Sequence, residues 1–238
     1  MLNLRKKDKS ILIFGYGSIG KKVYERLSQE YEDILILENN LENIKKAKRD
    51  NIDRIKFIDI MKESEIEKLE IEKKIIFCAM NDMAMNIFLV LAIRSINKDV
   101  TVISVSTSLE NSKKLKFVGA TKVIDIYEAS AHRVVDIVLR PAVTHVLDEI
   151  IYYSKDFKIE EVELPPNAPI NGKYVEDIDF EEFNLKLLGI LDRELSDNFI
   201  FVTRGINHKF DAGDILVLLG RKKDLNRFIK YLYGIKEE

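Results

Sequence analysis

A glycine-rich hexapeptide constrains this chain more than any other feature. Gly15-Tyr16-Gly17-Ser18-Ile19-Gly20 follows the apolar run Ile11-Leu-Ile-Phe14 without a spacer. It opens a stretch in which Ile19, Val23 and Leu27 recur on one helical face. Glycine at the first position allows a tight turn, at the second lets backbone approach a pyrophosphate, and at the third lets helix and strand pack closely. Glu38 ends the next apolar run about 20 residues on, where a carboxylate accepts both ribose hydroxyls and repels a 2′-phosphate. Together these residues predict a site for an adenosine-containing nucleotide at the first βα turn and favour NAD over NADP. The same stretch nearly matches a P-loop, with Lys21 after Gly20. Lys22 then stands where that loop needs a magnesium-binding Ser or Thr, so no kinase or NTPase reading survives.

The hexapeptide sits in a regular alternation. Ile11–Phe14, Ile34–Leu37, Ile55–Ile60, Ile75–Cys78, Val100–Val105 and Lys122–Asp125 are six candidate strands. They are apolar at consecutive positions, as parallel strands covered on both faces are. Helical patterns separate them: Ala84, Ile87, Phe88, Leu91 and Ala92 are expected on one inward face of the fourth, and Gly119 after the end of the fifth. Strand and helix in turn predict an α/β protein whose residues 1–127 form a Rossmann-like doubly wound parallel sheet. In such a sheet ligands bind beyond the strand ends. That adds Asn39, Asp59, Ile60, Ala79, Met80 and Asn81 to the glycine loop and Glu38 as candidate nucleotide contacts. Asp82 reads as a helix N-cap. Cys78, with no histidine near it, reads as a buried thiol.

Residues 128–156 read as a helical arm interrupted at Arg140-Pro141, because proline removes a backbone donor. Val134, Ile137, Val138, Val143, Val146 and Ile150 are part of an apolar surface larger than one sheet face requires. A final helix on its own sheet and an arm exchanged with a second subunit both fit. From Phe157 the texture changes. Ile159–Leu164 alternates, Pro165-Pro166-Asn-Ala-Pro169 breaks the chain, and Leu187–Leu191, Phe199–Val202 and Ile215–Leu219 follow as strands. Asp211–Asp214 is a turn and Leu225–Leu232 a closing helix, so residues 157–238 are expected to form a small α+β C-terminal lobe.

Composition removes whole classes of function. The 38 basic residues nearly cancel the 40 acidic ones, and a net charge of -2 argues against a nucleic-acid partner. The single cysteine excludes a multi-cysteine zinc site and fits a reducing compartment. Three histidines (His132, His145 and His208) leave little for metal or nucleophilic chemistry, and His208, within Gly205–Phe210, reads as part of a surface turn. No apolar run reaches the roughly 18 residues of a membrane span. The start, MLNLRKKDKS, lacks the apolar segment of a signal peptide, and its Arg5, Lys6, Lys7 and Lys9 read as a solvated terminus. The expectation is a soluble cytoplasmic chain. Its leading function class is a ligand-binding regulatory module without catalysis. The alternative is an NAD-dependent oxidoreductase, which needs a proton donor and a substrate pocket from the second lobe.

Linked motifs run through both halves. The first carries the glycine loop, Glu38, Asn81-Asp82-x-x-x-Asn86 and Leu115-Lys-Phe-Val-Gly-Ala-Thr-Lys-Val-Ile124. The second carries Val162-Glu-Leu-Pro-Pro-Asn-Ala-Pro-Ile-Asn-Gly-Lys173, Leu188-Gly-Ile-Leu191 and Ala212-Gly-Asp-Ile-Leu-Val-Leu-Leu-Gly220. In this order they resemble, over nearly the whole chain, the RCK/KTN family (TrkA-N plus TrkA-C), cytoplasmic regulators of potassium channels and of Trk/Ktr potassium transporters. The resemblance implies that residues 128–156 are a crossover arm joining two modules. Such homodimers build a higher ring, tetramer or octamer, beneath a potassium-conducting membrane pore. NAD(H) or another adenine nucleotide (ATP, ADP or AMP) is the implied ligand of the first lobe, and it works the gate by moving lobes. Family members that favour ATP often carry arginine where this chain has Ser18. Calcium-gated members carry carboxylates where it has Cys78, Val105 and Thr107, which do not build an oxygen-rich calcium site.

Overall fold

The computed structural model describes residues 10–192, 199–202 and 208–235. The basic start up to Lys9 and the stretch Gly205-Ile-Asn207 lie outside them. The six candidate strands align as one parallel sheet in the order β3-β2-β1-β4-β5-β6. They are β1 (Ile11–Phe14), β2 (Ile34–Glu38), β3 (Ile55–Phe57), β4 (Ile75–Cys78), β5 (Thr101–Ser106) and β6 (Lys122–Asp125). Helices α1 (Ser18–Leu27), α2 (Leu41–Arg49), α3 (Glu63–Glu67), α4 (Met83–Ile96) and α5 (Leu109–Phe117) carry the chain back between them, since parallel neighbours need a crossover. The central β1 is buried along its whole length. Its alternate residues feed opposite cores, Leu12 and Phe14 one cluster, Ile11 and Ile13 the other. Each such fully buried aliphatic side chain contributes about 1.5–3 kcal/mol over leaving it exposed.

Two local expectations need correction. The third strand stops at Phe57 rather than Ile60. The Ile58 amide still reaches the Glu38 carbonyl at 3.0 Å, but Asp59 then opens a turn closed by the Lys62 amide on the Asp59 carbonyl, 3.0 Å. Ile58 and Ile60 drop into the core from that turn. In α4 the buried residues are Asn86, Leu89, Val90, Ala92 and Ile93, while Leu91 is 55% exposed. That helix is apolar nearly all round, so spacing does not locate its inward face. A buried carboxamide with backbone partners does.

The chain divides into two compact units that part within α6 (Ile126–Leu139), between Val135 and Asp136. The helix breaks where proline demands. Arg140 caps α7 (Pro141–Asp148) and Pro141 is its first residue, a position whose amide has no helical acceptor anyway. Thr144 bridges the break: its hydroxyl donates to the Asp136 carbonyl at 3.1 Å and its amide to the Arg140 carbonyl at 2.9 Å. A π-helical turn, Glu149–Tyr153, follows; no sequence signal marked it. Nothing in α6 is buried, and Val134, Val138, Val146, Tyr152 and Tyr153 are all exposed.

In the second unit β7 (Phe157–Glu163), β8 (Leu185–Leu191), β9 (Phe199–Phe201) and β10 (Ile215–Arg221) form an antiparallel sheet ordered β7-β10-β8-β9. Helix α8 (Lys222–Leu232) closes it with Leu225, Phe228 and Leu232 inward, and Phe228 meets Phe183 edge-on at 5.0 Å between centroids. Gly213 turns the Asp211–Asp214 corner at φ +98°, a conformation that favours glycine. His208 is enclosed, contrary to the surface-turn reading. Its Nε2 lies 2.9 Å from Asp214 Oδ2 and its Nδ1 3.9 Å from Asp192 Oδ2, with the three side chains at most 10% exposed. The Asp211 amide donates to the same Asp214 oxygen at 3.0 Å, so a local carboxylate anchor draws the ring inward. Among the described residues no helix is long and apolar enough to cross a membrane.

Candidate functional site

The strand order reverses at β1, so the crevice beyond the C-terminal ends of β1, β2 and β4 is where an open α/β sheet takes a ligand. Backbone bonds lock that edge: the Gly15 amide donates to the Leu37 carbonyl and the Ala79 amide to the Phe14 carbonyl, both at 2.8 Å. Gly15, at φ +102°, leaves no room for a side chain, because a Cβ there would lie 2.5 Å from the Ala79 carbonyl oxygen. A Cβ on Gly20 would run into the Gly15 carbonyl. These two glycines therefore serve the turn and the helix–strand contact that the motif predicts. The first amides of α1, which starts at Ser18 with no acid in its first turn, have no acceptor inside the helix and face outward as an anion site.

Glu38 is the electrostatic centre of the crevice. It is 2% exposed, and four donors surround its carboxylate. Oε2 accepts from the Tyr16 amide at 2.7 Å and from Asn43 Nδ2 at 3.1 Å. Oε1 accepts from the Asn39 and Asn40 amides, each at 2.9 Å. The glycine loop and the start of α2 are thus tied through one carboxylate. Asn40 caps α2 by accepting from the Glu42 amide at 2.8 Å, and Asn39 Nδ2 points to Met85 Sδ at 3.3 Å.

The β4–α4 side is held the same way. Asn86, fully buried, accepts from the Met80 amide at 2.9 Å and donates to the Met80 carbonyl at 3.0 Å. That clasp fixes the Met80-Asn81 backbone, and Asn81 Oδ1 lies against Gly17. Asp82 is the N-cap expected of it, accepting from the Ala84 amide at 2.9 Å. Between the two sides lies a cavity of about 450 Å³ lined by Glu38, Asn39, Asn40, Leu41, Asn43, Met80, Asn81, Asp82 and Met85.

Of the candidate contacts, Glu38, Asn39, Met80 and Asn81 meet in this cavity. Gly15, Gly17, Ser18 and Gly20 form the adjoining loop and helix start. Ile19 packs against the core, and the Tyr16, Ile60 and Ala79 side chains are buried in it. Asp59 is not among the lining residues; its carboxylate accepts from the Met61 amide at 3.2 Å and lies 3.4 Å from Lys62 Nζ. Sequence reasoning missed Asn40, Leu41, Asn43 and Met85, which open two polar or ambiguous helices without a motif to mark them.

Tyr16, Lys21 and Asp50 engage one another beside the loop. The Tyr16 hydroxyl donates to Asp50 Oδ2 at 2.7 Å, and burial followed by that anion holds its pKa well above the ordinary tyrosine value. Lys21 Nζ donates to the same oxygen at 2.6 Å. Hydrogen bonds from Lys21 and then Tyr16 hold the Asp50 carboxyl below its usual range. The Cys78 thiol, fully buried, is pushed up to about 12 by desolvation, so it stays protonated and unreactive at neutral pH. No group of three or more His, Cys, Asp or Glu among the described residues could hold a metal ion.

Comparison with known proteins places two domain families in tandem on the chain. The TrkA-N domain matches residues 11–126 and the TrkA-C domain residues 159–233. Probable potassium channel protein 2 of Methanocaldococcus jannaschii is 29% identical over 156 residues, which is 64% of this chain and 46% of that protein. The chain therefore spans less than half the length of that relative. Among solved structures the human SLO3 gating ring superposes with a TM-score of 0.64 at 16% identity, covering 92% of this chain and 46% of that one. The GsuK channel gives 0.50 at 17% identity, covering 95% and 39%. The NAD(P)-binding domain of an exopolyphosphatase-related protein from Archaeoglobus fulgidus gives 0.50 at 19% identity, covering 55% and 97%. At these identities the structures establish the fold alone.

Proposed function

Because the chain belongs to the RCK/KTN family, a TrkA-N domain followed by a TrkA-C domain, we propose that it is a ligand-sensing gating module for potassium transport. An adenine nucleotide, NAD(H) or one of ATP, ADP and AMP, occupies the crevice at the glycine loop. Its binding is coupled to a potassium channel or transporter pore at the cytoplasmic face of the membrane. The observation that carries this reading is the Glu38 cavity: an anionic ribose anchor bonded to the glycine-loop amide, beside a helix start that presents free amides to phosphate. The cavity's volume of about 450 Å³ suits the adenosine part of such a ligand.

Coupling needs a second copy. The exposed apolar side chains of α6, α7 and the π-helical turn, including Val138, Leu139, Val143, Val146 and Ile151, form the surface on which two chains pair, and pairs assemble into a tetrameric or octameric ring. A nucleotide shifts such a ring only by binding one arrangement better than another.

Thermal unfolding with NAD⁺, NADH, ATP, ADP and AMP tests the site. A ligand at a hundred times its Kd stabilises the folded chain by about 2.7 kcal/mol, and at least one nucleotide is expected to raise the Tm. No shift with any of them overturns the reading. Turnover of NADH with small ketones would favour the oxidoreductase alternative instead.

A further inference from the structure

We propose that Asp50 is a positioning residue for the crevice. By holding the Lys21 ammonium it keeps that cation off the phosphates, so the site takes adenine ligands with one or two phosphates and gains nothing from a third. This rests on the nucleotide reading above.

Lys21 stands in the first turn of α1, its amide on the Gly17 carbonyl at 3.0 Å. Side chains on a helix lean toward its N-terminus, which in α1 is the phosphate end. The residue after the third glycine is also where a P-loop carries its phosphate-binding lysine. A free Lys21 would therefore serve the phosphates. In this chain its Nζ donates to Asp50 Oδ2 at 2.6 Å and lies 3.9 Å from Glu25 Oε1. Asp50 is itself held from two sides. Its amide donates to the Lys46 carbonyl at 3.0 Å, where it caps α2. Its Oδ2 accepts from the hydroxyl of Tyr16, a loop residue that is 1% exposed.

The energetics turn on an exchange of partners. Moving Lys21 to a phosphate trades one partly exposed ion pair for another of the same kind, and such pairs contribute little. The described residues lining the cavity bring no lysine, arginine or histidine. The α1 amides are left as the anion site, and a further phosphate adds charge without a cation to meet it. Removing the charge on Asp50 removes the rival, and Lys21 then gains its full attraction to a polyphosphate.

The test measures dissociation constants of the whole chain for AMP, ADP and ATP by titration calorimetry in magnesium-free buffer. The wild type is expected to bind ATP no more than about threefold tighter than ADP. Asp50→Asn and Asp50→Ser should each tighten ATP relative to AMP by at least about fivefold, the lower end for unit charges near 4 Å at a protein surface. Two variants are used so that the loss of one to misfolding leaves the other. Asp50→Asn combined with Lys21→Gln should return the ratio to that of the wild type. Glu25→Gln changes the net charge equally but leaves Lys21 on Asp50, and should keep the wild-type ratio. A stronger ATP preference in the wild type, or an unchanged ratio in a folded Asp50 variant, overturns the proposal. So does a rise that persists in the double variant or appears equally in Glu25→Gln. Each of these leaves the nucleotide site standing, whereas failure of all three nucleotides to bind the wild type overturns both.

Discussion

Replacing Glu38 by glutamine keeps the size of the side chain and removes the charge that organises the crevice. The native carboxylate accepts from three backbone amides, Tyr16, Asn39 and Asn40, and from the Asn43 carboxamide, at 2.7 to 3.1 Å. A glutamine offers one acceptor oxygen and turns an NH₂ group toward donors, so about two of the four bonds are lost. A hydrogen bond to a charged group contributes roughly 1.5–3 kcal/mol, and a stranded buried donor costs about 1–3 kcal/mol. The Asn39 and Asn40 amides are partly buried and recover some of this from water, but the Tyr16 amide is buried. Destabilisation of about 2–4 kcal/mol is expected, or a fall in Tm of roughly 5–15 °C for a unit of this size. Urea unfolding without ligand measures it, with the midpoint moving and the m-value unchanged. A loss below about 0.5 kcal/mol would refute the argument, because ordinary surface substitutions fall within that range.

Other consequences follow from single contacts. Gly20→Ala forces a Cβ into the Gly15 carbonyl and should cost about 1–3 kcal/mol by the usual scale of overpacking; an unchanged Tm would contradict the packing described. Asn86→Ala strands the Met80 amide and carbonyl, with an expected loss of about 1–3 kcal/mol in chemical unfolding. Asn86→Asp, which can restore only the acceptor, should be no better. With its pKa raised to about 12 by burial, the Cys78 thiol should resist a maleimide at pH 8 in the native chain and react at once in denaturant; fast native labelling would show that the β4 edge opens. The unfolded thiol ionises near the ordinary cysteine value of 9.0 while the folded one keeps its proton to about 12. Its stabilising contribution is therefore complete below pH 9 and lost as pH rises through that window, and unfolding at stepped alkaline pH should show a slope that Cys78→Ala flattens.

Much of the first unit was legible because its signals are local. Ile11–Phe14 is too apolar for anything but a strand covered on both faces, and the glycines after it have one geometry that explains all three. Pro141 marks its own helix break, and Asp82 its own cap. The misses arise where the deciding contact leaves no mark in residue type or spacing. Leu91 was placed inward although a helix as apolar as α4 has no polar face to orient it, and the Asn86 clasp on Met80 sets its rotation instead. His208 looked like a turn residue because nothing in its own segment shows that Asp214, six positions on, and Asp192, 16 positions earlier, close around it once β8 and the segment before β10 come together. Within the site, Glu38 announces itself at the end of an apolar run. Asn43 and Leu41 do not, since the polar α2 shows no residue whose type singles out the crevice. Asp59 was credited to the cavity on strand order alone, and an early turn after Phe57 gives its carboxylate local partners.

The central claim is that an adenine nucleotide binds at the glycine loop beside Glu38. Titration calorimetry of the chain with NAD⁺, repeated on Gly17→Asp, tests it most directly. A carboxylate at position 17 occupies the path to the α1 amides and repels a pyrophosphate, while its nearest neighbour, the exposed Asn81 side chain, has room to give way. The account predicts saturable binding of one NAD⁺ per chain and its loss in a variant that still unfolds cooperatively. Undiminished binding to Gly17→Asp, or no binding to the wild type by NAD⁺ or any other adenine nucleotide, would contradict it.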